Sequence, residues 1–153
     1  MAISKILNMK DCGGHFHGKH LKRALDYVMN PDKTQDGRLV GAINCQVDTA
    51  FEQMKETKRN FGKIDKRQGY HIILSFKENE VNPDTAFEIT QKFVEEYLGK
   101  SYEAVFVVHD NTAHVHSHIV FNSVSFVDGK KYRYEKGDWA KYIPVSYTHL
   151  TLP

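Results

Sequence analysis

Val108-His109-Asp110-Asn111-Thr112-Ala113-His114-Val115-His116-Ser117-His118-Ile119-Val120-Phe121-Asn122 is read as two strands joined by a tight polar turn. The first runs from Ala104 to His109 and the second from His114 to Phe126, with Asp110-Asn111-Thr112-Ala113 between them. Strand side chains alternate faces with period 2. His114, His116, His118, Val120 and Asn122 therefore share one face, and Val115, Ile119 and Phe121 share the other, which suits a core. Three imidazoles in a row repel if all are protonated, and need hydrogen-bond partners if held neutral on a half-buried sheet. A divalent cation meets both demands, because neutral imidazole is a common metal ligand. Same-face neighbours on a strand lie about 6.6 Å apart, so two of the three can converge on one ion and all three cannot. His109, across the turn, is the candidate third ligand. On strand geometry both His109/His116/His118 and His109/His114/His116 are possible sets.

Working outward, Asp128-Gly129 marks another hairpin turn, with Tyr132 to Glu135 returning. Upstream, Asn82-Pro83 opens a helix as N-cap and first-turn proline, and Gly99 closes it. Ala86, Phe87, Thr90, Phe93, Val94, Tyr97 and Leu98 form its buried stripe. Tyr70 to Phe76 is strand-like, as are Leu39 to Cys45 and Ala2 to Met9. Asp48 is read as the N-cap of a helix through about Asn60, with Phe51 and Met54 inward. Leu21, Ala24, Leu25 and Val28 place one face of a helix over Leu21 to Met29, which ends before Pro31. Gly- and His-rich Asp11 to Gly18 reads as a loop. Neighbouring strands joined by hairpins and mixed with helices give an α+β fold: an antiparallel sheet with helices on one face. No internal repeat or linker interrupts it.

The 153 residues suffice for one domain with a real core and fall short of two. With 41% hydrophobic and 26% charged residues the chain is neither collagen-like, low-complexity nor disordered in composition. No apolar run approaches the length of a membrane-spanning helix, and the N-terminus lacks the apolar core of a secretory signal, so the expected compartment is cytoplasmic. Cys12 and Cys45 make no disulfide framework. Val145 to Pro153 continues no pattern and resembles a translated sequencing-adapter tail, so the natural protein is expected to run past Pro144.

Net charge is +2, but its distribution is uneven. Lys55, Lys58, Arg59, Lys63, Lys66 and Arg67 face only Glu56 and Asp65 between Gln53 and Arg67, a basic face that suits a polyanion. Tyr27 is the only tyrosine before Tyr70 and lies off its helix's apolar stripe, free to point at a site. His15, His17 and His20 sit in or beside the glycine-rich loop without anchored geometry; a flexible DNA-facing loop or simple surface suits them better than a metal site. His71, on a strand beside Tyr70, is read as structural or as a support for a ligand.

The stretch from His109 to Asn122, followed by Ser123-Val124, resembles the histidine motif of the relaxase or mobilisation nuclease family, the HUH endonucleases of conjugative and mobilisable plasmids and integrative elements. Leu25-Asp26-Tyr27-Val28-Met29-Asn30-Pro31-Asp32-Lys33-Thr34 is similar to that family's nucleophile motif. Tyr70-His71 with Ser75-Phe76, and Asp128-Gly129-Lys130-Lys131-Tyr132-Arg133, also match. The resemblance runs in order from about Lys5 to Ile143. It implies a palm-like catalytic domain over residues 1–144, C-terminally incomplete, that cuts one DNA strand at an origin of transfer. A tyrosine attacks the scissile phosphate, keeps the 5′ end as a phosphotyrosyl ester, and the reverse reaction rejoins the strand. By the family's spacing Tyr27 would be the nucleophile, His109, His116 and His118 the ligands of a divalent ion (Mg2+ or Mn2+), and His114 a nearby proton-handling group. The family commonly carries an acid two residues after the first histidine and often another two further on. Here those positions are Asn111 and Ala113, with Asp110 one residue early; Asp110 or Asp26 would have to serve.

The resemblance further implies single-stranded origin-of-transfer DNA, accessory relaxosome proteins and a type IV secretion coupling protein as partners in a bacterial cytoplasm, without membrane insertion. Two other readings share these residues. A rolling-circle replication initiator of the same class usually places its tyrosine after the histidines, where Tyr132, Tyr134 and Tyr142 lie. A non-catalytic single-stranded-DNA-binding remnant would keep the basic face and form no covalent intermediate.

Overall fold

A computed structural model describes residues 3–9, 18–77, 81–110 and 114–133. Five strands, β1 (Ile3–Met9), β2 (Val40–Ile43), β3 (Gly69–Ser75), β4 (Ala104–His109) and β5 (His116–Asn122), form one antiparallel sheet in the order β1-β3-β5-β4-β2. Three helices, α1 (Lys19–Val28), α2 (Ala50–Asn60) and α3 (Pro83–Tyr97), complete the fold. The predicted loop Asp11 to Gly18, the tail from Val145, and Tyr134, Tyr142 and Glu135 lie wholly or largely outside the described residues.

The helices do not sit on one face, as expected from sequence; they cover both. Every residue of β4 is buried and all of β5 except His116, a pattern that requires cover on each side. On one face Phe106, Val108, Ile119, Phe121 and Ile72 pack against Ala86, Ile89, Phe93 and Val94 of α3. On the other, Val105, Val107 and Val120 pack against Leu21, Leu25 and Val28 of α1 and Ala50 and Met54 of α2. By parity the histidines of β4 and β5 belong to this second face, so the strand row read as half-solvated lies under a helix.

Local signals explain most boundaries. The Asn82 side chain accepts from Thr85 N–H at 2.8 Å and Pro83 occupies the first turn of α3. Gly18 starts α1 in the left-handed region at φ 85, where a side chain would be strained. Asp48 does not cap α2. It lies in a 3₁₀ turn over Val47–Thr49, and Gln53 reaches back to accept from Gln46 N–H and the Thr49 hydroxyl at 2.7 and 2.9 Å. β5 starts at His116 rather than His114 and stops at Asn122 rather than Phe126. Beyond it the chain closes a small hairpin, with Ser125 N–H donating to Lys130 C=O and Tyr132 N–H to Ser123 C=O.

Candidate functional site

Strand register assembles the histidines. His109 pairs directly with His116, and His118 lies diagonally across on β5, opposite Val107 on β4 and Ile73 on β3. The rings of His109 and His118 approach to 4.2 Å between centroids. His109 Nε2 lies 2.8 Å from the Val28 carbonyl, which only accepts, so Nε2 carries the proton and Nδ1 keeps its lone pair. His118 Nδ1 is hydrogen-bonded to His71 Nε2 at 2.8 Å; with His118 donating, its Nε2 is the nitrogen left for a ligand. Burial pulls His118 down to about 3, with His109, His71, His116 and Lys33 adding to the effect. Burial and His109 likewise bring His71 to about 4, and burial lowers His109 against the pull of the Val28 carbonyl. These imidazoles are therefore neutral donors at physiological pH, the form a metal binds.

The donor set fits a divalent cation in chemistry and register, but only partly in ring position. Among the described residues, no three His, Cys, Asp or Glu side chains stand together as a ready ion cage. His109 and His118 converge, whereas half-buried His116 faces His109 across the ladder without closing the set. His114 is exposed in a bend before β5, so the alternative set loses its strand basis. His20 is exposed on α1, and His15 and His17 lie outside the described residues.

Tyr27 stands over this pair. α1 buries Leu25 and Val28 and leaves Tyr27 50% exposed. Its ring meets His109 and His118 edge-on at 5.9 and 6.3 Å. The acids expected beside it are engaged elsewhere: Asp26 pairs with Lys22 at 3.6 Å, and Asp110 accepts from the Gln35 side-chain amide. The hydroxyl's partner among the described residues is Lys33, whose ammonium donates to it at 3.3 Å and lies 4.5 Å from the ring centre. A braced loop positions that lysine. Asp32 N–H donates to the Asn30 side chain, and the fully buried Thr34 donates its hydroxyl to Asn30 C=O. Asp110 N–H donates to Lys33 C=O. The sequence reading gave Lys33 no role; the signal was its place in Asn30-Pro31-Asp32-Lys33-Thr34, one helical turn and a half past Tyr27.

Of the six basic residues, Lys58 is 1% exposed and does not belong to the cationic surface. It follows Met54 by four on α2 and so points at the sheet, beside Glu103. Burial lowers it to about 7 against the attraction of Glu103. Lys55, Arg59, Lys63, Lys66 and Arg67 remain at least partly accessible, Arg59 in an ion pair with Glu56 at 2.9 Å. Tyr132 is buried on the α3 face against Tyr70 and Phe121, with the sheet between it and the histidines.

Residues 27–147 match the family described as relaxase, MobA/VirD2-like, nuclease domain. A Staphylococcus aureus protein named rlx is 33% identical over 118 residues, covering 77% of this chain and 34% of its own length. The group II intron-interrupted relaxase LtrB of Lactococcus lactis subsp. cremoris is 29% identical over 155 residues, covering 84% of this chain and 26% of its own. The chain thus spans about a third of the curated relatives it matches. A solved structure described as "Molecular Basis of Vancomycin Resistance Transfer in Staphylococcus aureus" superimposes with a TM-score of 0.61 at 12% identity, over 98% of this chain and 92% of that one; it shares the fold.

Proposed function

We propose, on the premise that the chain belongs to the MobA/VirD2-like relaxase nuclease family, that it nicks and rejoins one DNA strand at an origin of transfer with Tyr27 as nucleophile. The observation that carries this reading is the seating of the Tyr27 ring over His109 and His118 by α1. The Tyr27 oxygen attacks the scissile phosphorus, the bond to the 3′ oxygen breaks, and the 5′ end stays on the protein as a phosphotyrosyl ester. The tyrosine proton passes to solvent, and the freed 3′ oxygen takes one back. Rejoining reverses these steps and needs no nucleotide, because the ester conserves the phosphodiester's bond energy.

Tyrosine is a weak nucleophile at neutral pH and gains from charge placed nearby. Lys33 supplies positive charge beside the Tyr27 oxygen, which is anionic once its proton has left and becomes so again when it departs in the rejoining step. His109, His116 and His118 would hold the divalent ion, Mg2+ or Mn2+, and its chemistry is to draw charge from the phosphate oxygens. His71 holds the His118 ring, and the Val28 carbonyl holds His109, in the way ligand-supporting groups do. His114 is assigned to proton handling at the rim of the site and Asp110 to bracing the Lys33 loop. Lys55, Arg59, Lys63, Lys66 and Arg67 would bind single-stranded origin DNA, with relaxosome proteins and a type IV coupling protein as further partners in the bacterial cytoplasm. No helix among the described residues is long and apolar enough to cross a membrane.

The buried position of Tyr132 on the far face takes away one of the three tyrosines a rolling-circle initiator would use, Tyr134 and Tyr142 lying outside the described residues. Incubation with single-stranded origin DNA of a mobilisable element and Mn2+ should give a covalent adduct on a denaturing gel, absent for Tyr27→Phe. A wild-type chain that binds this DNA and forms no adduct is the non-catalytic remnant.

A further inference from the structure

The geometry points to an extension of the basic DNA-binding surface onto the hairpin after β5: a phosphate-binding cleft at the far end of that strand from the histidines, in which Lys130, Lys131 and Arg133 join Lys63. The inference rests on the relaxase reading for the identity of its ligand, the phosphodiester backbone of DNA flanking the cleaved site. The four side chains line one concavity of about 510 Å³, and no carboxylate is among them. Three of the four come from the hairpin after β5, which the charge count over Gln53–Arg67 did not include.

The cleft is braced rather than draped. The Lys63 ammonium donates to the Gly129 carbonyl and ties the segment after α2 to the hairpin tip. Gly129 adopts φ 72 and lies flat on Phe61; a Cβ there would come within 2.3 Å of the Phe61 ring. Ser125 and Lys130 close the hairpin through the backbone, and the Asp128 carboxylate accepts from Lys130 N–H. Asp128 thus serves the turn, while the other nearby acid, Asp65, offers its backbone carbonyl to Lys131 at 3.5 Å. Lys131 is lowered from the usual lysine range by partial burial, opposed by Asp65, with Lys66, Lys63 and Arg67 lowering it further. Cations crowded into a fixed concavity repel one another, and an anion between them removes that cost.

Distance gives the contact its role. From His116 to Asn122 the strand advances about 20 Å, and the hairpin begins at once beyond it. That length corresponds to about six phosphates along one strand of a duplex. A grip so far from Tyr27 takes no part in the ester exchange; it holds flanking DNA in line with the site.

The test is fluorescence anisotropy of the full chain with labelled oligothymidylate over a range of salt. Lys130→Glu/Lys131→Glu should weaken binding at low salt by at least about tenfold and flatten the log–log salt slope by about 1.4, the value for two single-strand contacts. Lys130→Gln/Lys131→Gln should give a smaller loss in the same direction, and Lys92→Glu on α3 should bind as the wild type does. Unchanged affinity and slope in both double variants overturns the cleft, as does equal loss in Lys92→Glu or an absence of wild-type binding. Melting curves show that each variant is folded. Oligothymidylate is bound without being cut, so the two readings separate. Adduct formation by a wild type whose binding ignores Lys130 and Lys131 defeats the cleft alone. Binding that depends on them, with no adduct at any origin, defeats the relaxase reading alone.

Discussion

Two hydrogen bonds at the residue scale determine which ring nitrogens face the open side of the site. Val28 C=O accepts from His109 Nε2–H, and His118 Nδ1 is hydrogen-bonded to His71 Nε2. His116, paired across from His109, is the third member of the proposed ligand set. Calorimetric titration with Mn2+ should therefore show near-complete loss of binding in His116→Ala, and in His114→Ala affinity within about 10–100-fold of the wild type. Equal loss in both, with His118→Ala unaffected, would reject the His109/His116/His118 set. Lys33 makes a second prediction. Lys33→Met should slow adduct formation by about 10²-fold, on the scale of removing one donor from an anionic reacting oxygen, with Mn2+ affinity kept. Lys33→Arg should recover part of that rate, and a Lys33→Met variant as fast as wild type would remove this residue from the chemistry.

At the element scale, α2 carries a basic residue on its inner face. Lys58 is lowered by burial to about 7, while Glu103, raised by burial, is drawn back down by hydrogen bonds from Asn122 and Thr57 and by Lys58. An unfolded lysine titrates near 10.4, so from pH 7 upward the unfolded chain holds a proton that the folded one has shed. Stability contributed at this residue therefore rises with pH above 7, by at most about 1.4 kcal/mol per unit. Cys45 acts in the opposite sense above about pH 8.5, because burial pushes its thiol up to about 12. The difference between wild type and Lys58→Met cancels that second effect. Denaturant unfolding from pH 7 to 9 should show the wild type gaining on the variant, and parallel curves would mean that Lys58 is charged in the folded protein. Elements with local signals were legible in sequence: Asn82-Pro83 for α3, Pro31 after α1, and the short continuous apolar run of β4. Asp48 misled, because the chain enters α2 through a 3₁₀ turn over Val47–Thr49 that Gln53 braces, and Asp48 lies inside that turn rather than at the helix's cap position. Lys58 misled for a different reason. Its spacing of four from Met54 places it on the inner face, but a lysine within a run of cations reads as part of a solvated surface.

At the scale of the whole molecule, helices on both faces of the sheet make the site possible. The α3 face supplies the larger core, and the α1–α2 face buries the histidines and brings the tyrosine to them. Period-2 alternation identified the histidine face but gave no sign of what covered it, since a strand facing a helix and one facing solvent can both carry polar residues. The approach of Tyr27 to His109 and His118 joins residues more than 80 positions apart, a contact that no local pattern encodes. The role proposed for that contact is tested by mass spectrometry of the peptide left joined to an oligonucleotide after reaction with single-stranded origin DNA and Mn2+. The expected product is a single cross-linked peptide with the phosphodiester on Tyr27. A cross-link on Tyr132, Tyr134 or Tyr142 would contradict it.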